Sequence, residues 1–568
     1  MLYDVDDDLR KMCESGRIED AVSFFELVHK GGLNLTPKNY AFLLQECAKL
    51  KALDEGKKIH ALLCTSDMKV DVFLMNNLLS MYTKCGCLRE ARVIFDAMAT
   101  SRDVVTWTTL ITGYAEQMDG NEALRCFEQM QHEGVFADAL TFASCLKACG
   151  SVGAFEKGKE IHAEVVREGL LEKDILVGTT LVDMYAKCGT LAKAQEVFDH
   201  LRRRNVVSWS ALIAGYVQHG HNEEALNCVR WMQREALSPN AVTFVSILKA
   251  CGSIGAAGKG KEVHAEILRE GLLDKNILVG NALVDMYAKC NMPLRAHDVF
   301  DSLPAHNVVS WTSLIAGYAQ HEHGHEATNC FEQMQNEGFL PNAVTFVCIL
   351  KACGSIGAGS RGKEIHSMLA RNEILKDNVL VGNALVDMYA KCGIPAKAQQ
   401  VFDELTVRDA FSWNALINGY AQLGKDDVVI SLFDKMISEQ VQPDVVTFTL
   451  ILNACSHSGL LDKGKMCFKM IRSGFGIVPT SEHHTCMVDL FGRAGHLDEA
   501  AAIIKLMPTF DFPPIWTTLL SSCQKLGDIE VGELAFEHAI QLNENHTAAY
   551  VCMRNMYAAE TNNCSWSM

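Results

Sequence analysis

Apolar positions along this chain fall into a pattern that keeps restarting. In Ile175–Asn205 (ILVGTTLVDMYAKCGTLAKAQEVFDHLRRRN), Leu181, Val182, Met184 and Tyr185 share one face of a helix. After Lys187-Cys188-Gly189 the apolar set resumes at Leu191, Ala194, Val197, Phe198 and Leu201. Gly189 stands where a first helix must end on a residue able to take positive φ. The spacing predicts two helices of about 12 residues each, joined by a glycine turn. Strict period-two alternation is absent, and Ala, Leu, Lys and Glu dominate the second half, so a strand reading fails. Such a hairpin cannot bury its own apolar face. Its neighbours must do so by stacking.

The neighbours are copies. Residues 206–240, 241–276 and 277–307 form consecutive units of 35, 36 and 31 residues, and the set repeats. Trp107, Trp209, Trp311 and Trp413 are spaced by 102 residues, and Trp516 follows 103 after the last. A weak unit opens the chain over 2–36, followed by units at 37–71 and 72–103. The triplet then runs over 104–205, 206–307, 308–409 and 410–512. Pro239, Pro341 and Pro443 each precede a unit's last residue, where a helix must stop. Residues 513–546 still read as a helix pair, and 547–568 begin another that ends early, so this end is expected to fray.

Composition narrows the function. An apolar share of 49% supplies a continuous core, and a net charge of −17 argues against indiscriminate gripping of phosphate. The basic run Arg202-Arg203-Arg204 reads as a solvated loop. The 22 cysteines follow the repeat register: Cys85, Cys188, Cys290 and Cys392 in the short units, and Cys47, Cys149, Cys251, Cys353 and Cys455 in the 36-residue type. Copies so far apart in a stack cannot reach disulfide distance, which leaves small buried apolar residues in a reducing compartment. The chain has no C-x-x-C pair and no run of 18 apolar residues, so neither the commonest zinc signature nor a membrane span is expected. The start, MLYDVDDDLRKM, is too acidic for a transit peptide, and targeting is expected to lie upstream or be missing.

The alternation VVSWSALIAGY, AVTFVSILKACGS…GKEVHAEI and LVGNALVDMYAKC…DVFD resembles plant pentatricopeptide repeat proteins of the PLS subclass, whose P, L and S repeats have this order and these lengths. The resemblance implies an all-α, right-handed α-α superhelical solenoid of about 15 stacked hairpins over 2–512, and organellar residence in mitochondrion or chloroplast. Residues 513–546 resemble the family's first E motif, and 547–568 a truncated second one that ends near Asn563-Cys564-Ser565-Trp566, similar to the family's CSW segment. An internal deletion there is expected. Many relatives continue into a DYW deaminase bearing H-x-E and C-x-x-C. His162-Ala163-Glu164 and His264-Ala265-Glu266 spell the first, but the same register reads His60-Ala61-Leu62 and His366-Ser367-Met368, so these histidines are read as structural. His321-Glu322-His323-Gly324-His325 falls on a turn and is read as solvated. No catalytic group, metal or cofactor is expected.

Repeats of this kind read one RNA base per helical unit. The fifth residue of each unit is expected to project freely, the last to lie in the loop leading onward, and the second, being apolar, to pack on a base. Carried over from the resemblance, Asn76/Asp103 implies uracil and Thr108/Asp138 guanine. Thr179/Asn205 and Ser210/Asn240 imply adenine, Asn281/Asn307 cytosine, and Thr312/Asn342 adenine. Asn383/Asp409 and Asn414/Asp444 imply uracil. The stacking residues are Val105, Leu176, Val207, Leu278, Val309, Leu380 and Phe411. Fifth residues of the L units are Ala41, Ala143, Val245 and Val347, with Thr449 last, and these units are expected to space rather than discriminate. The implied single-stranded target is U-G-n-A-A-n-C-A-n-U-U. Last residues also suit turns and caps, which competes with base reading. The functions in play are a C-to-U editing-site factor working with a DYW-type deaminase in trans, an RNA stability, processing or splicing factor, and a tetratricopeptide-like protein scaffold.

Overall fold

The structure, a computed structural model, describes residues 5–30, 36–66, 70–98, 101–371, 378–505, 507, 512–543 and 546–564. Every regular element among the described residues is a helix. The unit read first at sequence level folds as expected: Ile175–Lys187, then Gly189 at φ +77°, then Leu191–His200. Leu181, Val182, Met184, Tyr185, Ala194, Val197, Phe198 and Leu201 are all buried, and Leu191 is half-buried. At the equivalent turn of a later copy Asn291 takes the left-handed conformation, which asparagine tolerates better than most non-glycine residues.

The chain forms two compact units, residues 1–290 and 291–568. Within the first, Ile175–Lys187 packs on its own partner Leu191–His200 and on the leading helices of both neighbours, Ala139–Val152 and Val206–Gln218. Within the second, Val379–Lys391 does the same with Pro395–Glu404, Ala343–Ser355 and Ala410–Gln422. The tryptophan period has a packing cause. Each indole sits edge-on against a phenylalanine of the preceding short repeat, at 4.6 Å for Phe95–Trp107, 4.5 Å for Phe198–Trp209, 4.5 Å for Phe300–Trp311 and 4.7 Å for Phe402–Trp413.

The register histidines are structural links. His60, His162, His264 and His366 place Nδ1 2.9–3.0 Å from the hydroxyls of Tyr82, Tyr185, Tyr287 and Tyr389 in the following repeat. The short-unit cysteines tie back to the preceding repeat: Cys188 Sγ lies 3.9 Å from the carbonyl oxygen of Cys149, and Cys392 Sγ 3.7 Å from that of Cys353. Both sets are free thiols. After the hairpin Pro513–Leu526 and Ile529–Leu542, one helix, Thr547–Cys564, packs on both arms and buries Ala549, Met553 and Met556. This corrects the expectation of a frayed end, because the apolar spacing at 549, 553 and 556 gives the helix a face to dock. Ser565-Trp566 and residues 1–4 lie outside the described residues.

Candidate nucleic-acid interface

The last residue of a unit is the N-cap of the next unit's first helix. Asp103, Asp138, Asn205, Asn240, Asn307, Asn342, Asp409 and Asp444 each accept, through Oδ1, the backbone N–H of the residue three positions on, at 2.8–2.9 Å. The cap reading is therefore correct for Oδ1. No contact is seen for the outer oxygen Oδ2 of Asp103, Asp138, Asp409 and Asp444, nor for Nδ2 of Asn205, Asn240 and Asn342.

The fifth residues are not free to project, contrary to expectation. Asn76, Thr108, Thr179, Ser210, Asn281, Thr312, Asn383 and Asn414 are only 5–9% exposed, and within each compact unit the next leading helix packs on the one that carries them. Two arrangements result. Asn76, Asn383 and Asn414 donate Nδ2 to the carboxylates of Asp103 (3.2 Å), Asp409 (3.0 Å) and Asp444 (2.9 Å), so each reads as a closed polar pair. Thr108, Ser210 and Thr312 instead share a hydroxyl contact of 2.6–2.7 Å with Thr141, Thr243 and Thr345, which in turn donate to Asp138, Asn240 and Asn342. The Thr179 hydroxyl is buried without a partner.

This exposes residues that sequence reasoning missed. The third residue of each 35- and 36-residue unit from residue 104 to residue 447 is Thr or Ser: Thr106, Thr141, Ser208, Thr243, Ser310, Thr345, Ser412 and Thr447, all fully buried. Thr106 and Thr447 also donate to Oδ1 of Asn76 and Asn414, both at 2.7 Å. The signal was present as a hydroxyl in fixed register beside an N-cap, the mark of a capping box. The Asp103 carboxyl shows the consequence: burial alone would raise it, but hydrogen bonds from Thr106 and Asn76 hold it below the usual carboxylate range.

Second residues are exposed. Val105, Leu176, Val207, Leu278, Val309, Leu380 and Phe411 are 48–72% exposed although apolar, and so are Leu140, Val242, Val344 and Val446 of the longer units. Val105 and Leu140 line an open cleft of about 230 Å³ whose lining also includes Thr108, Asp138 and Lys84. Two apolar side chains, several hydroxyls, the carboxylates of Asp138 and Glu116 and the Lys84 cation thus line one slot. Lys187, Lys289 and Lys391 occupy the register of Lys84 and each pairs with an aspartate one turn earlier at 2.7–2.8 Å. Among the described residues no cluster of His, Cys, Asp and Glu is arranged to hold a metal ion, and no helix is long and apolar enough to cross a membrane.

The repeats match known proteins. A PPR repeat family model matches residues 102–151, 204–253, 306–355 and 408–457, and a PPR repeat model matches 73–102, 179–206, 281–308, 383–409, 446–474 and 482–512. A mitochondrial pentatricopeptide repeat-containing protein of Arabidopsis thaliana is 34% identical over 97% of this chain and 80% of its own length. A chloroplastic one from the same plant is 35% identical over 97% of this chain and 68% of its own length. The crystal structure of the maize pentatricopeptide repeat protein PPR10 superposes with a TM-score of 0.55 at 16% identity, covering 99% of this chain and 92% of that one. The same protein in complex with an 18-nt psaJ RNA element gives 0.57 at 17% identity, covering 96% and 80%. Hairpins repeating in this register, with this fold and these relatives, have one reading: the chain belongs to the pentatricopeptide repeat family.

Proposed function

We propose that this protein binds single-stranded RNA sequence-specifically, one base to each polar pair, and marks C-to-U editing sites in organellar transcripts for a deaminase supplied in trans. The observation that carries the reading is the slot lined by Val105, Leu140, Thr108 and Asp138. A planar base fits between two apolar side chains and presents its edge to the polar pair.

The outer atoms of the capping residues Asp103, Asp138, Asn205, Asn240, Asn342, Asp409 and Asp444 supply a rule for the code. An aspartate offers Oδ2, an acceptor, which suits the N–H donors at uracil N3 and guanine N1. An asparagine offers Nδ2, a donor, which suits the acceptors adenine N1 and cytosine N3. The fifth residue then selects by reach. Short Thr and Ser leave room for a purine, and longer Asn suits a pyrimidine. Both rules reproduce U-G-n-A-A-n-C-A-n-U-U, in which n falls at the 36-residue units. The E-like character of residues 513–546, the part that relatives place between repeats and catalytic domain, supports the editing role. The PPR10 complex with RNA supports RNA binding.

Sequencing of RNA crosslinked to the full chain in cells tests this. The expected result is enrichment of the stated string with an edited cytidine at a constant distance downstream, lost when the gene is disrupted. Crosslinks unrelated to the string would contradict base reading. Enrichment without editing would contradict only the editing role.

A further inference from the structure

The second pair of helices in successive repeats carries a recurring set of groups that base reading does not use. Aligned on Phe95, Phe198 and Phe300, each repeat offers an aspartate next in sequence (Asp96, Asp199, Asp301) and a tyrosine from the following leading helix (Tyr114, Tyr216, Tyr318). Each also offers a cysteine (Cys126, Cys228, Cys330) and a glutamate (Glu133, Glu235, Glu337) from the helix after that. What differs is the residue three before the phenylalanine: Arg92, Gln195 or His297.

In the first copy the chain fills this place itself. The Arg92 guanidinium lies 5.4 Å from the Phe95 ring centre, 3.1 Å from Asp96 Oδ1 and 3.5 Å from Cys126 Sγ. In the third copy His297 reaches Tyr318 (2.8 Å) and Asp301 (3.7 Å). In the second copy Gln195 only bridges the floor, donating to Asp199 at 2.9 Å and accepting from the Tyr216 hydroxyl at 3.0 Å. Above it an open cleft of about 450 Å³ remains.

Two further exchanges shape that cleft. Val229 stands where Phe127 and Phe331 stand, and Trp231 stands where Gln129 and Gln333 stand. Trp231 is 57% exposed, whereas the other described tryptophans are 0–5% exposed. The cleft therefore has four aromatic walls, Phe198, Trp209, Tyr216 and Trp231, and three carboxylates, Asp199, Glu224 and Glu235. The one cation in its lining, Arg204, pairs with Glu235 at 3.0 Å and lies 4.9 Å from the Phe198 ring centre, as Arg102 lies 4.2 Å from that of Phe95, while Arg234 stands 5.0 Å from the Trp231 ring centre at the edge of the cleft. Aromatic faces combined with excess carboxylate favour a cation and repel phosphate.

We propose that this cleft binds a guanidinium group from outside the chain, the arginine side chain of a partner polypeptide, in the position that Arg92 occupies in the first copy. The site lies on groups separate from those that read bases, so it offers a means of docking a protein while RNA is held.

The test uses full-length protein labelled with 5-fluorotryptophan and followed by fluorine NMR, the Trp231 signal being the one lost in Trp231→Gln. That variant restores the residue found in the sister repeats, so folding is preserved. Titration with N-acetylarginine methylamide should move the Trp231 signal saturably, and the neutral citrulline analogue should not. Glu224→Gln should weaken the arginine probe roughly fivefold, and Gln195→Arg, which supplies the internal guanidinium, should abolish binding. Equal response to arginine and citrulline probes, no response to either, or unaltered binding by Gln195→Arg would overturn the proposal. Binding of spermidine as tight as that of the arginine probe would overturn the assignment to guanidinium.

Discussion

At the scale of single residues, the account turns on one side chain doing two jobs with two different atoms. Oδ1 of Asp138 caps a helix through Thr141, at 2.8 Å to the backbone N–H, and no contact is seen for Oδ2. Thr141, fully buried, bridges Asp138 and Thr108 with its hydroxyl. Replacing it with valine should cost about 1 kcal/mol, visible as a lowered Tm. It should also reduce discrimination for guanine over adenine or uracil at the second base by roughly fivefold, read by fluorescence anisotropy on single-base variants. Unchanged discrimination would mean that Thr141 only caps. The paired positions themselves were legible in the sequence, because Asp103 and Asn76 stand in fixed register. Their burial was not, since it depends on the next helix lying across them, and no spacing within one unit encodes that. The third-position hydroxyls were visible as Thr106, Ser208 and their copies, yet without the stacking geometry nothing distinguished them from ordinary first-turn residues.

At the scale of elements, hairpins are held in register by close helix approach and by the histidine–tyrosine links. A Cβ placed on Gly215 would come within 2.4 Å of Ala186 Cβ and 3.4 Å of its Cα, so the two leading helices touch there. Gly215→Val should force them apart and cost about 1–3 kcal/mol, with a drop in Tm and weakened RNA binding. Gly220→Ala, where nothing lies near but φ is +79°, should cost less, by strain alone. Burial lowers the basicity of His60, His162 and His366 from the ordinary value of 6.5. The unfolded chain then binds these protons more readily than the folded one, so their contribution to stability is present above pH 6.5 and is lost as pH falls from there through the folded values. Thermal melts at pH 7.5 and 5.5 should differ, and His162→Gln should reduce the difference. A pH-independent Tm would contradict the linkage. Hairpin boundaries, the glycine turn and the tryptophan period were all legible from apolar spacing. The closing helix Thr547–Cys564 was not, since its docking face of Ala549, Met553 and Met556 is sparse enough to pass for an abandoned hairpin.

At the scale of the whole molecule, a net charge of −17 must coexist with the proposed affinity for a polyanion. Lys187, Lys289 and Lys391, in the register of Lys84, are each neutralised by an aspartate one turn earlier. Binding must then rest on base contacts rather than counterion release, and the slope of log K against log salt should be shallow, no steeper than about −3.5 if five cations meet phosphates. A slope beyond about −6 would mean that phosphate contacts dominate. The most direct measurement of the central claim is a specificity swap at the characterised slot. The full chain and its Thr108→Asn variant are each titrated with U-G-n-A-A-n-C-A-n-U-U and with the same RNA carrying uracil at the second base. The account predicts that wild type prefers guanine there and the variant prefers uracil, each by roughly fivefold or more, with all other positions unaffected. If both proteins bind both RNAs alike, Thr108 and Asp138 do not read a base.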